Sequence, residues 1–392
     1  MYSQIPTLLT IGLHSLKARL SGTFVAVFCV ASVVFLFISV LSMLEGFRET
    51  MERTGQEDVA IVMRSGALSE VNSVLNVSDL PAMLTYSEIE MKDGKKLASG
   101  QFYLVVEMAK KNGAVVNVPM RGIELTEPEL HPSFQLTHGR MFKPGTTEVV
   151  VGAAASSQFE GLQIGETMTV QGIDWVVVGI FEDGGNVYES EIWSDLHFMQ
   201  AAFKHQETLQ SLRVKLVSDT AFESYSSALE NDPRFDIEVQ RETDYYASGG
   251  SGLITLAQKT VYPMAVLMMI GAIFAALNAM YASVSARTTE IATLRALGFA
   301  DGAVSIAVLL EAVLVALFGG LIGTVLVFLL VDGFLFSTMN GEAFSQLVFR
   351  FTLSPPLIME GMSMALVIGV VSGLFPALVV IYTPLNRALR KV

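Results

Sequence analysis

Long uncharged apolar runs alternate with polar stretches along this chain. The first such run covers residues 23–44 and contains no charged side chain. As a helix it would span about 33 Å, which matches a bilayer hydrocarbon core of about 30 Å. Three further runs lie near 262–284, 303–331 and 357–382. The pattern predicts four transmembrane helices, one near the start and three towards the end.

The segment between the first two runs has a different pattern. Residues 211–217 alternate apolar and polar positions, which places Arg213 on the polar side of a strand. Thr220 and Glu223 have capping-box spacing and predict a helix to Glu230. Two strands flank the turn signal KKNG at 110–113, and a second hairpin turns at Gln171 and Gly172. This predicts an α+β domain, mostly antiparallel in its middle.

Charge separates the two regions further. The chain has a mean hydropathy of +0.51 and only 16% charged residues, which identifies an integral membrane protein. Residues 46–258 hold 16 basic and 31 acidic residues and so carry the net negative charge. The overall charge of −13 argues against a nucleic-acid partner. The lone Cys29 excludes a disulfide within these residues.

Basic residues near the ends of the apolar runs set the expected orientation. The side predicted to be cytoplasmic carries Lys17, Arg19, Arg287, Arg295, Arg387, Arg390 and Lys391. The opposite short loop has only Arg350. We expect this order: a cytoplasmic interfacial helix over 1–22, transmembrane helices over 23–45, 259–284, 303–331 and 357–382, an outside domain over 46–258, a cytoplasmic loop over 285–302, a short outside loop over 332–356 and a cytoplasmic tail over 383–392.

A search for catalytic and ligand-binding motifs finds none. The string at 250–260 has Gln258 where a P-loop needs glycine, so ATP binding through a P-loop is excluded. His131 and His138 are interpreted as surface loop residues, and the acids at 182–183 and 189–191 as a solvated face. Tyr245 and Tyr246 precede the second apolar run and are interpreted as an interfacial anchor. No catalytic residue, cofactor or metal site is predicted.

Within the cytoplasmic loop, Ile291, Leu294 and Leu297 have helical spacing, and Gly298 is a helix-stop signal. A short amphipathic helix there either docks on a partner or lies on the membrane. The string RTTEIATLRALG at 287–298, followed by a Gly-rich run, resembles the signature of the FtsX-like permease family of ABC transporters, which includes MacB, LolC/LolE and FtsX. The strings GLFPA at 373–377 and EVVVGAAASSQFEGLQIGETMTVQGIDWVVVGIFED at 148–183 resemble the end of that family and the MacB-type periplasmic domain.

The resemblance implies four transmembrane helices with a large α+β periplasmic domain inserted between helices 1 and 2, in the inner membrane. It implies a permease that is not itself an enzyme and works by mechanotransmission with a cytoplasmic ABC ATPase dimer. Implied partners are a second permease copy or paralogue, a periplasmic adaptor, an outer-membrane channel and membrane lipids. The residues it implies for ATPase coupling are Arg287, Glu290, Ile291, Leu294, Arg295 and Leu297.

Export of a substrate is the function that the resemblance favours. Lipoprotein extraction, as by LolC/LolE, and regulation of a cell-wall hydrolase, as by FtsX, are alternatives within the family. A receptor without an ATPase is the alternative from another class. The substrate and the choice between homodimer and heterodimer stay open.

Overall fold

The computed structural model describes residues 20–340 and 345–382. The predicted interfacial helix therefore lies almost wholly outside the described residues, as does the tail 383–392. The helices are α1 Leu20–Glu52, α2 Leu80–Met83, α3 Ala153–Gln158, α4 Leu196–Ala202, α5 Phe222–Glu230, α6 Glu242–Ala286, α7 Thr288–Ala296, α8 Asp301–Leu330 and α9 Pro355–Tyr382. Four of them, α1, α6, α8 and α9, are long and apolar enough to cross a membrane.

The strands are β1 Val59–Arg64, β2 Leu75–Asn76, β3 Met91–Lys92, β4 Lys95–Lys96, β5 Ala98–Ala109, β6 Val115–Ile123, β7 Phe134–Gly139, β8 Glu148–Gly152, β9 Thr167–Val170, β10 Ile173–Asp183, β11 Ile192–Asp195, β12 Thr208–Leu209, β13 Ser211–Lys215, β14 Ile237–Arg241, β15 Leu335–Asn340 and β16 Ser345–Arg350. The chain forms two compact units. We call the first the bundle: residues 20–45, 256–334 and 351–382 of the described chain. The second, the inserted domain, is 46–255 together with 335–350.

Small residues let the bundle helices approach closely. A Cβ atom at Gly323 of α8 would lie 2.6 Å from the carbonyl oxygen of Ala31 on α1. One at Gly369 of α9 would lie 2.9 Å from the Cα of Val313 on α8. Lipid is as apolar as these side chains, so such close packing is what holds membrane helices together. The repeated glycines of α8 and α9 therefore pack within the bundle, whereas a Cβ at Gly271 of α6 would meet open space.

A mixed sheet organises the inserted domain. Its strands run in the order β14-β1-β13-β5-β6-β11-β8-β10-β7, and β9 pairs with β10. The described pairs are antiparallel except β6 with β11 and β8 with β10. Both predicted hairpins are present, and Gln171 and Gly172 have φ of +50° and +78°, as a type I′ turn requires. The fold is thus α+β with a predominantly antiparallel sheet.

Two local predictions in this domain were wrong. The helix cap is not at Thr220, because a 3-10 turn over Asp219–Ala221 precedes α5 and its N-cap is Ala221 without a side-chain bond. Arg213 does not point to solvent, because its side chain is fully buried in β13. Its guanidinium is held by carboxylates from distant parts of the chain, which an alternating pattern does not reveal.

Residues 332–356, expected to form a short outside loop, contain strands that the sequence pattern did not predict. Its strands β15 and β16 form an antiparallel hairpin that belongs to the inserted domain. The backbone N–H of Val348 donates to Ser190 Oγ at 2.9 Å, and the ring of Phe349 meets that of Phe47 at 5.6 Å. Lys110 Nζ donates to Ser337 Oγ at 2.6 Å. A segment after the third long helix therefore completes the domain inserted after the first.

Candidate functional site

The coupling segment predicted over 285–302 contains the nine-residue helix α7. The preceding long helix ends at Ala286, and Arg287 takes the N-cap position of α7. Gly298 has φ of +96°, and its N–H donates to the carbonyl of Arg295 at 3.1 Å. This left-handed residue ends the helix, as the sequence predicted.

One side of α7 is covered by the bundle. Ile291 is 9% exposed and Ala292 is 2% exposed. Ile291 and the half-buried Leu294 lie in a buried apolar cluster with residues of α6, α8 and α9. The apolar stripe that predicted a docking face is therefore largely used to attach α7 to its own helices.

Two arginines strengthen this attachment. Arg287 Nη1 donates to both carboxylate oxygens of Glu311 on α8, at 3.0 and 2.8 Å, and both residues are buried. Arg295 donates to both oxygens of Asp301, at 2.7 and 3.0 Å, and to the carbonyl of Val380 at 3.1 Å. Bidentate arginine–carboxylate pairs fix orientation as well as distance. These contacts set the angle of α7 against α8 and α9.

The other side of α7 is exposed, at Thr289, Glu290, Thr293, Ala296 and Leu297. Leu297 is 74% exposed. Of the six predicted coupling residues, Glu290 and Leu297 lie on this open face, whereas Ile291 and Arg287 are buried and Leu294 and Arg295 are half-buried. Arg287 is therefore an internal ion-pair residue.

A second polar site lies inside the inserted domain. We call it the ionic cluster: three basic and five acidic side chains, all buried, namely Arg121, Arg213, His131, Glu70, Glu127, Asp183, Glu191 and Glu242. Among residues 20–340 and 345–382, no histidine, cysteine or acidic side chains form a group that could hold a metal ion. The adjoining cavity of about 40 Å³, lined in part by Glu70, Arg121 and Tyr246, has room for water but not for a cargo molecule.

Arg121 of β6 is bound on both sides. Its guanidinium donates to both oxygens of Glu70, at 2.8 and 3.0 Å, and to both oxygens of Glu191, at 2.7 Å each. Trp193 Nε1 donates a further hydrogen bond to Glu191 at 2.8 Å. Glu70 also approaches Arg213, at 3.9 Å. The charge of Arg121 is thus matched by two carboxylates in a buried site, where an unpaired charge would be costly.

Arg213 and His131 share Glu127. Arg213 Nη1 and His131 Nε2 each lie 3.0 Å from Glu127 Oε1. The other ring nitrogen of His131 lies 2.8 Å from Asp183 Oδ2. Arg213 also lies 3.5 Å from Glu242, the first residue of α6. The cluster therefore ties the start of a long helix to strands of the domain.

The electrostatics follow from this geometry. Burial raises the pKa of Glu70 and Glu127, but the nearby arginine charges and hydrogen bonds outweigh it and bring each pKa down to about 2. Burial lowers the pKa of His131, but hydrogen bonds to Asp183 and Glu127 raise it to about 9. At neutral pH the cluster therefore contains a protonated imidazole between two carboxylates.

These placements correct three sequence interpretations. His131 is buried between two acids rather than in a surface loop, whereas His138 is exposed as predicted. Asp183 and Glu191 are 2% and 1% exposed, so they do not form a solvated face. Tyr246 is 7% exposed and accepts a hydrogen bond from Arg213 at 2.9 Å, so it belongs to the domain interior and is not a membrane anchor.

Family models match most of the chain. The MacB-like periplasmic core domain matches residues 23–232, and the FtsX-like permease C-terminal domain matches residues 263–385. The macrolide export ATP-binding/permease protein MacB of Burkholderia cenocepacia is 25% identical over 225 residues, which are 55% of this chain and 31% of that protein. A Pseudomonas syringae protein named "Probable syringafactin export ATP-binding/permease protein SyfD" is 26% identical over 226 residues, 55% of this chain and 33% of its own length. The match thus spans about a third of these relatives.

Two solved structures are also similar. One is the periplasmic region of MacB from Actinobacillus actinomycetemcomitans, with a TM-score of 0.38 and 15% identity, covering 50% of this chain and 93% of that one. The other is the extracellular domain of the noncanonic ABC-type transporter YknZ from Gram-positive bacteria, with a TM-score of 0.36 and 10% identity, covering 47% of this chain and all of that one.

Proposed function

We propose a function from the premise that this chain belongs to the MacB-type, FtsX-like permease family of ABC transporters. It is an inner-membrane protein with four apolar helices and a MacB-like periplasmic core domain. On this basis its role is that of a permease which converts ATP hydrolysis into conformational work in the periplasm, for export of a substrate. The 392 residues contain no P-loop, so an ABC ATPase dimer supplies the hydrolysis.

One feature of the chain carries this proposal. Helix α6 has 45 residues, beginning at Glu242 of the ionic cluster and ending at Ala286, directly before the coupling segment. A displacement of α7 by an ATPase would act on Arg287, and through the buried Arg287–Glu311 pair on α8. The same displacement would act on α6 through the peptide bond between Ala286 and Arg287. We propose this path for mechanotransmission, with both termini in the cytoplasm.

The open face of α7 narrows the predicted docking site. Leu297 and Glu290 are exposed on it together with Thr293, and protein interfaces typically combine an apolar centre with a polar rim. We therefore assign ATPase contact to Glu290 and Leu297. For Arg287, Ile291, Leu294 and Arg295 we propose a positioning role, because their side chains attach α7 to the bundle.

The test is a co-purification in mild detergent with the ATPase encoded nearest to this gene. Leu297→Asp places a charge on the open face without entering the buried cluster, so we expect the variant to stay folded and to recover at least tenfold less ATPase. Leu68→Asp is the matched control, because Leu68 is 79% exposed but lies in the inserted domain. Equal ATPase recovery by Leu297→Asp and wild type would refute the docking assignment.

The same preparation tests the partners. A mass equal to two copies of this chain plus two ATPase subunits supports a homodimeric permease, and a second permease chain in the complex supports a heterodimer. Recovery of an adaptor or an outer-membrane channel supports export. Release of a lipoprotein from membranes on ATP addition would favour extraction instead, and stimulation of a cell-wall hydrolase would favour the regulatory role.

A further inference from the structure

Strand β5 changes its neighbours along its length. Residues 98–101 pair with β13 on one side, at a register that ends with Gln101 opposite Ser211. Residues 102–109 pair with β6 on the other side. The pairing with β13 ends at Gln101, because the residues just before β13 form strand β12, which pairs with β2 instead. Within the described chain, no strand pairs with residues 102–109 of β5 on the side that β13 has left.

The backbone groups on this side can be identified from three contacts. The N–H of Tyr103 donates to the side chain of Gln210 at 2.9 Å, so the backbone groups of odd-numbered residues in this stretch point away from β6. Pro119 of β6 lies opposite Val105 and has no N–H to donate. The two residues therefore form a non-hydrogen-bonded pair, in which the backbone groups of Val105 point away from β6. The carbonyl of Ala109 accepts from Glu160 N at 2.9 Å on the same outer side.

Val105 and Glu107 lie between these two bonded ends. Their N–H and C=O groups face outward, and among the described residues no hydrogen-bond partner is found for them. Natural proteins usually protect such an edge with proline, with lysine or with a covering segment. Here the outward positions carry Val105 and Glu107, and a groove rather than a covering segment lies beside them.

The groove has a volume of about 570 Å³, within the range of ligand sites of roughly 300–1,000 Å³. Residues 102–107 and residues 169–171 both line it. Phe102 and Phe203 contribute apolar rings whose centroids lie 6.3 Å apart, and His205 lies beside them. The groove thus offers backbone donors and acceptors at its edge and a lining of mixed polar and apolar side chains.

We propose that this edge of β5 binds an extended peptide segment of a partner protein, which adds to the sheet as a strand. The unpaired N–H and C=O groups lie on every second residue of a strand that rises about 3.3 Å per residue, a pattern that an extended polypeptide backbone matches and a lipid or a sugar does not. The exposed Glu107, which lines the groove, favours a basic side chain on that segment. The inference concerns the inserted domain alone and does not depend on ATPase docking.

The experiment uses the full chain in nanodiscs and an acetylated, amidated hexapeptide of alternating lysine and valine as the probe. Hydrogen–deuterium exchange reports the amides of Val105 and Glu107, and fluorescence anisotropy of labelled peptide reports affinity. We expect these two amides to exchange fast without peptide and at least tenfold more slowly with it. A peptide N-methylated at alternate residues on its bonding edge should bind at least tenfold more weakly, since it loses backbone hydrogen bonds.

Matched variants distinguish the contribution of the backbone N–H to peptide binding from that of the side chain. Val105→Pro removes an outward N–H without touching the bonds to β6, and should weaken binding about tenfold, whereas Val105→Ala keeps that N–H and should bind like wild type. Glu107→Gln should weaken the lysine peptide and leave an uncharged threonine–valine peptide unaffected. Tryptophan fluorescence checks that each variant is folded.

Three results would overturn the proposal. One is binding of the N-methylated peptide as tightly as the parent. Another is the absence of any peptide-dependent protection at Val105 and Glu107 in the folded wild type. A third is protection of these amides without peptide that grows with protein concentration, because a second copy of this chain would then be the occupant. None of these outcomes bears on whether Leu297→Asp loses the ATPase, so the two proposals fail independently.

Discussion

Replacement of His131 by glutamine tests whether the ionic cluster depends on a buried positive imidazole. The ring lies between Glu127 and Asp183, with nitrogen–oxygen distances of 3.0 and 2.8 Å. Glutamine retains hydrogen-bonding atoms but cannot carry the charge. We therefore expect the variant to fold and to lose the part of the domain's stability that depends on protonation of His131.

The magnitude follows from the pKa of His131, which rises from 6.5 to about 9 in the folded domain because hydrogen bonds to Asp183 and Glu127 outweigh burial. A pKa raised on folding stabilises the domain fully below pH 6.5, and this contribution is lost as the pH rises through about 9. At about 1.4 kcal/mol per pKa unit, the contribution to the free energy of unfolding is about 3 kcal/mol. Wild type should therefore lose most of it between pH 6 and pH 9, and the glutamine variant should not.

Tryptophan fluorescence makes this measurable in the full chain. The two tryptophans, Trp175 and Trp193, are both fully buried in the inserted domain, so urea unfolding followed by fluorescence reports that domain and not the bundle. The ring of Trp193 lies 5.5 Å from that of His131. His138→Gln is the matched control, because His138 is exposed. The reasoning would be refuted by a wild-type free energy that changes by less than about 0.5 kcal/mol between the two pH values, or by an unchanged slope in His131→Gln.

Three further predictions concern other contacts. Arg213→Met should destabilise the inserted domain by about 3–5 kcal/mol in urea unfolding, because Glu242 is left buried without its cation and Glu127 keeps only His131, and adding Glu127→Gln should restore part of the loss. Arg287→Glu should abolish ATPase stimulation, and the exchange Arg287→Glu with Glu311→Arg should restore at least part of it; no recovery would show that the pair is not what positions α7. Gly369→Val should lower the thermal midpoint of the bundle in detergent, because its Cβ would lie 2.9 Å from the Cα of Val313, whereas Gly271→Val faces open space and should not.

The membrane helices and hairpins could be predicted because their signals are local. An uncharged run as long as residues 23–44 has one stable arrangement in a bilayer, and Gln171 with Gly172 selects one turn type. The ionic cluster lacked such a signal, because Arg121 is separated from Glu70 by 51 positions and from Glu191 by 70. Arg121, the one charged residue of strand β6, was the available indication.

The coupling segment shows a different limit of prediction from sequence. An apolar stripe indicates that one side of a helix is covered, but it does not identify the element or protein that covers it. Ile291 and Leu294 have the spacing expected of a docking face, and the structure places them against α6, α8 and α9. The exposed side, with Thr293 and Leu297, is less apolar than the covered side. Sequence therefore located the helix, while the assignment of its faces required the structure.

The β15–β16 hairpin imposes an order on biosynthesis. Its buried residues Leu347, Val348 and Phe349 reach the inserted domain only after α8 has been synthesised, about 90 residues beyond the end of the main segment at 255. During translation, the surface of the inserted domain that the hairpin later covers stays exposed. The domain is therefore vulnerable to aggregation until the third long helix has been inserted. A recombinant fragment that stops at residue 258 would remain permanently in this unfinished state, so a soluble version of the domain needs residues 335–350 joined to it.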